Sequence, residues 1–64
     1  MLLKKRKMLA GENIRYVGKA FPGFVPGQRY MTFLSYKSNL EILVRYNDTE
    51  IIVFEYLTET IGNK

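Results

Sequence analysis

The stretch Leu40–Leu57, LEILVRYNDTEIIVFEYL, decides the fold. Two runs rich in apolar, β-branched and aromatic residues, Leu40–Tyr46 and Glu50–Tyr56, flank Asn47-Asp48-Thr49. Asn and Asp tolerate left-handed backbone and bond to their own main chain, so a short hairpin connection is expected between the runs. In the first run Leu40, Ile42, Val44 and Tyr46 fall on one side, with Glu41, Leu43 and Arg45 on the other. In the second, Ile52, Phe54 and Tyr56 are opposed by Ile51, Val53, Glu55 and Leu57. Alternation with period two belongs to strands. Because apolar residues occupy both sides, the hairpin is expected to be partly buried on both faces.

The rest of the chain extends this hairpin into a small sheet. Asn13–Lys19 alternates as a first strand, with Gly18 marking a bend or bulge. Gln28–Tyr36 reads as a second strand with Tyr30, Thr32, Leu34 and Tyr36 on one face, and Lys37-Ser38-Asn39 turns into the central hairpin. Between these strands Ala20–Gly27, AFPGFVPG, carries two Pro-Gly pairs. Pro presets the first central position of a turn and Gly accepts the positive φ of the second, so both pairs favour type II turns. Beyond Leu57, one tight turn and a short closing strand with Ile61 inward complete five strands. A bent five-stranded antiparallel sheet of this size is expected to close into a small SH3-like barrel, since closure removes exposed edges. The expected division is a basic N-terminal arm over residues 1–12, frayed or forming one to two helical turns, and a single β-barrel domain over residues 13–62.

Composition narrows the function classes. Sixty-four residues accommodate one domain whose stability margin is a few kcal/mol, roughly 60% of its unfolded surface being buried. Absence of Cys and His removes disulfides and ordinary zinc ligation. With so little reinforcement, homodimerisation is a further way to gain burial. The net charge is +4, and four of the ten basic residues are Lys4, Lys5, Arg6 and Lys7. The remainder of the chain is neutral, so the basic character reports on the arm. After Lys7 the apolar stretch Met8-Leu9-Ala10 is too short for a secretory leader or a membrane span, so a cytoplasmic protein that does not engage a membrane is expected.

Catalysis finds little to work with. Glu12, Glu41, Asp48, Glu50, Glu55 and Glu59 are the only acids; Ser35 and Ser38 lack a base, and no phosphate-cradling Gly-Lys-Ser/Thr follows Gly23 or Gly27. A non-enzymatic binding role without metal or cofactor is expected. For a protein partner, Phe21, Phe24 and Tyr30 are the candidate contacts, because aromatics on a Pro-stiffened loop make a low-entropy surface. The competing reading of Phe21 and Phe24 is that they pin the loop over the barrel end. For nucleic acid, Lys4, Lys5, Arg6 and Lys7 would meet phosphates, and Arg15, Arg29 and Arg45 with exposed tyrosines would meet bases.

Arg15–Lys19 (RYVGK), a loop, and then Gly27–Tyr30 (GQRY) resemble a pattern of small SH3-like proteins from phages and mobile elements of Gram-positive bacteria. Asn47-Asp48 at the following turn, a Phe-containing fourth strand, a short turn and a last aliphatic, Ile61, continue the resemblance, which spans Ile14 to Ile61. It departs from the pattern in the double Pro-Gly loop and the basic arm. The resemblance implies an SH3-like barrel of phage or mobile-element origin that acts by binding a host or phage protein, or a nucleic acid. Sm-like RNA-binding proteins are the second resemblance, with a short N-terminal helix before a bent five-stranded sheet. The fourth strand here lacks the polar, His-containing uridine signature of their bacterial members. The expected function is therefore a small protein-binding module, with a nucleic-acid-binding barrel as the alternative.

Overall fold

A computed structural model describes residues 7–61 and shows a mainly β protein. Five strands form one antiparallel sheet: β1 (Asn13–Tyr16), β2 (Tyr30–Tyr36), β3 (Glu41–Tyr46), β4 (Thr49–Phe54) and β5 (Thr58–Thr60), in the order β4-β3-β2-β1-β5. The central hairpin forms as the sequence requires. Asn47 and Asp48 take φ of 53° and 66°, the doubly left-handed pair of a two-residue type I′ turn, and Tyr46 lies opposite Thr49.

Burial is one-sided. Ile42, Val44 and Tyr46 of β3 and Val53 of β4 face inward, joining Ile14, Tyr16, Met31 and Phe33. The opposite side of the hairpin is open, with Ile52 at 53% and Phe54 at 42% exposure, which corrects the expectation of burial on both faces. No second layer covers that side because the other strands extend the same sheet instead of folding across it. Leu40 lies ahead of β3, in the turn, and is exposed as well.

The expected closed barrel is also corrected: β4 and β5 both remain edges and do not pair. A 3-10 turn over Glu55–Leu57 carries the chain from β4 to the far side of β1, where the three residues of β5 pair with Ile14, Arg15 and Tyr16. Thr58 fixes this reversal, its hydroxyl donating to the Glu55 carbonyl at 2.7 Å while the side chain is 2% exposed.

In β2 the register with β3 shifts between Phe33 and Ser35, so that Leu34 is the extra residue. One inserted residue reverses the alternation that follows it. Ser35 comes opposite Leu43, and Tyr36 comes opposite Ile42, on the core side. The expectation that Tyr36 shares a face with Tyr30 and Thr32 is corrected accordingly. Tyr36 packs against Phe33 with ring centroids 4.8 Å apart, and its hydroxyl oxygen accepts the Met8 N–H at 2.9 Å.

Lys7–Glu12 has no helical turn, and Met1–Arg6 lie outside the described residues, so the helical-turn alternative for the arm finds no counterpart among residues 7–12. Met8 is 4% exposed in the core. Ahead of β1, Gly11 N–H donates to Phe33 and Phe33 N–H donates to Glu12, both at 2.8 Å, so this segment continues along β2. Short polar strand ends and a Gly-containing turn favour this extended course over a helix with no length to nucleate.

Candidate functional site

Three groups of side chains bear on function: the Pro-Gly loop, the arginine-bearing face near Tyr30, and the open side of the hairpin. The loop folds as its composition dictates. Phe24 N–H donates to Phe21 and Gln28 N–H to Val25 at 2.8 and 2.9 Å, with φ of +92° at Gly23 and +88° at Gly27, the geometry of two type II turns. Phe21 and Phe24 are half-buried and join Tyr16 and Tyr46 in an aromatic cluster. Phe21 meets Tyr16 edge-on at 5.3 Å and Phe24 stacks on Tyr46 at 6.0 Å and 4°. The Tyr46 hydroxyl donates to the Gln28 carbonyl at 2.8 Å and accepts the Val25 N–H at 2.9 Å. These contacts hold the loop against the core, and they engage the apolar faces that a partner would need.

Arg29 belongs to the same structure. Its guanidinium donates from one nitrogen to the Tyr16 and Gly18 carbonyls, both at 3.1 Å, and lies 5.3 Å from the Phe24 ring centroid. Arg15 and Arg45 instead occupy the open face. Arg15 is in register with Tyr30 on one side and Glu59 on the other. Arg45 is in register with Thr32 and makes an ion pair with Glu50 at 3.2 Å. Tyr30 is 59% exposed and borders a shallow groove with Asn13, Thr32 and Arg45. The three arginines therefore do not converge: two share a face with Tyr30 and the third is turned into the loop. Lys7 lies 5.3 Å from the Tyr36 ring centroid, near the opposite end of β2; Lys4, Lys5 and Arg6 lie outside the described residues. The ten basic residues less Lys4, Lys5, Arg6 and Lys64 leave six over residues 7–61, balanced by six acids. The exposed Arg45–Glu50 ion pair is a weak hold.

The open side of β3 and β4 is different in kind. Leu43 lies opposite Ile52, and Phe54 stacks on Tyr56 with centroids 5.4 Å apart and an interplanar angle of 23°. Leu40 adjoins them, because its carbonyl accepts the Glu55 N–H at 2.7 Å. Tyr56 is 66% and Leu40 58% exposed, so a contiguous apolar strip runs along the sheet edge. The backbone adds to it. Tyr46 and Thr49 close the two-residue turn and exchange both hydrogen bonds; alternation then gives Ile51 and Val53 to the bonded pairs. The N–H and C=O groups of Glu50, Ile52 and Phe54 point away from β3, toward the free edge. Sequence reasoning placed Ile52, Phe54 and Tyr56 on one face but not as a surface. The available signal was that an outer strand with apolar residues on both sides has one side with nothing to cover it.

Among the described residues no three or more His, Cys, Asp or Glu side chains gather as a metal site, and no helix is long and apolar enough to cross a membrane. Glu41 lies opposite Phe54 and accepts a hydrogen bond from the Ser38 hydroxyl at 3.3 Å. The chain matches no protein-family model, no curated protein and no solved structure.

Proposed function

We propose that this chain is a non-enzymatic, SH3-like binding module of phage or mobile-element origin that works in the cytoplasm by docking a protein partner on the open side of β3 and β4. One observation carries the reading: a free strand edge coincides with exposed Ile52, Phe54 and Tyr56, with half-buried Leu43 opposite Ile52 and exposed Leu40 beside Tyr56 at the strand's end. Exposed apolar patches of this kind on small domains mark interaction surfaces, and free edges recruit strands. The SH3-like part is supported by the Phe-containing β4 ending in a tight turn into a short last strand, as the sequence resemblance implies. Of the candidate contacts, Tyr30 keeps an accessible ring, whereas Phe21 and Phe24 pack against the core.

Nucleic-acid binding is the second reading, favoured by Arg15, Tyr30 and Arg45 sharing one face. Two variants separate the readings. Immobilised wild-type chain, Ile52→Lys and a double Arg15→Ala/Arg45→Ala variant are compared for captured host proteins and for binding of labelled single-stranded DNA and RNA at about 50 and 200 mM salt. The protein reading expects a partner retained by the arginine variant and lost by Ile52→Lys, with melting temperatures confirming both folds. Capture unaffected by Ile52→Lys, together with nucleic-acid binding lost in the arginine variant, overturns it.

A further inference from the structure

We infer that the β4 edge accepts, as a sixth strand, an extended peptide of alternating apolar residues flanked by arginine or lysine. The inference rests on the open hairpin side being the docking surface and adds the chemistry of its occupant. Residues 47–60 contain Asp48, Glu50, Glu55 and Glu59 and no lysine or arginine. Both free edges of the sheet lie in this segment, Glu50 on β4 and Glu59 on β5. Registers that bring Glu50 or Glu59 beside an acid of a second copy are disfavoured by like-charge repulsion. A partner strand with basic flanks meets no such opposition.

The surface also holds a place for a flanking residue. Just past Phe54, Asn39, Leu40, Glu55 and Tyr56 line an open depression of about 280 Å³. Leu40 and Tyr56 offer apolar and aromatic surface for the aliphatic stem and cationic head of an arginine or lysine, and Glu55 offers a carboxylate. A strand bonded to the outward N–H and C=O groups of Glu50, Ile52 and Phe54 lays alternate side chains beside Ile52 and Phe54. The residue two positions beyond the one opposite Phe54 then arrives at the depression. At the other end the strand meets Glu50 and the turn residue Asp48. Arg45 already engages Glu50, so the Glu55 end is the stronger anchor.

The test uses the full chain and two labelled peptides that alternate Val and Thr, one with Arg at each end and one with Glu. Backbone amide shifts locate the binding and fluorescence anisotropy measures it. The expected result is shifts confined to Glu50–Leu57 and the turn at Lys37–Leu40, with the Arg peptide binding about tenfold tighter than the Glu peptide. Glu55→Gln, a near-isosteric change at a half-buried turn position, is expected to reduce that preference about threefold with the melting temperature unchanged. Equal affinity for both peptides overturns the basic preference and leaves edge docking standing. No shift in Glu50–Leu57 at millimolar peptide overturns strand addition at β4, while loss of partner capture by Ile52→Lys would still support docking there in another form. Sedimentation of the chain as a dimer that becomes monomeric when residues 1–6 are deleted overturns the external peptide in favour of the chain's own basic segment.

Discussion

Replacing Tyr46 by Phe isolates the tie between the Pro-Gly loop and the sheet. The ring is 3% exposed and its contacts with Phe21 and Phe24 are retained by Phe, so the substitution removes one hydroxyl and little else. That hydroxyl donates to the Gln28 carbonyl at 2.8 Å and accepts the Val25 N–H at 2.9 Å. Leaving a buried polar group without its partner costs about 1–3 kcal/mol. Val25 sits at the boundary of exposure, at 36%, so its N–H regains water and adds little. The half-buried Gln28 carbonyl carries most of the penalty, and the expected loss is about 1–2 kcal/mol in all. For a domain of this size that lowers the melting temperature by roughly 4–16 °C. The assay is thermal unfolding by circular dichroism with amide exchange at Val25 and Gln28. Local release of the loop should accelerate exchange at both before global unfolding does. A melting temperature within a degree of wild type, with exchange at Val25 unchanged, would refute the role assigned to this hydroxyl.

Three further outcomes are expected. Gly18→Ala builds a Cβ 2.6 Å from the Tyr16 hydroxyl oxygen and 2.7 Å from Cζ, and must displace a ring that is 5% exposed and donates to the Lys19 carbonyl; a loss of about 1–3 kcal/mol is expected in the urea midpoint, with an unchanged slope. Met8→Ala removes a 4%-exposed core side chain and is expected to cost about 2–5 kcal/mol. Leu9→Ala, at a 68%-exposed neighbour, is the control, with a change of less than about 0.5 kcal/mol. Ile52→Thr keeps β-branching on the open face; its stability should stay within about 0.5 kcal/mol of wild type while surface hydrophobicity, read by dye binding, falls.

Local chemistry was legible in the sequence wherever one or two residues decide it. Asn47-Asp48 specify their turn, and each Pro-Gly pair specifies its own, because a positive φ is available at low cost to few residue types. Alternation groups Ile42, Val44 and Tyr46 on one side, but apolar residues on both sides left open which side is inward. Features that depend on how strands meet were not legible. The extra residue at Leu34 has no compositional mark, and it alone moves Tyr36 to the core side, where it receives Met8. Closure failed as an expectation because the bent, short-stranded pattern of a barrel is shared by an open sheet; which strand β5 joins is decided by the 3-10 turn. For the candidate site, Tyr30, Arg15 and Arg45 were placed on strands correctly, but their common face depends on register. Phe21 and Phe24 are aromatic for both of the uses weighed in the sequence, and their packing on Tyr16 and Tyr46 depends on how the loop meets the sheet.

The pairing of β1 with β5 sets an order of assembly. Ile14 pairs with Thr60, 46 positions later (60 − 14), whereas β2, β3 and β4 are joined by tight turns. The entropic cost of closing a loop grows with its length, so contacts within the β2–β3–β4 meander become favourable early, and the β1–β5 pairing waits until the intervening chain is in place. Three residues of β5 and the Thr58 hydroxyl then lock a loop that encloses the rest of the domain. The same pairing is the first to part when the domain opens, giving a partly unfolded form in which β1–β4 persist and the outer edge of β1 is exposed.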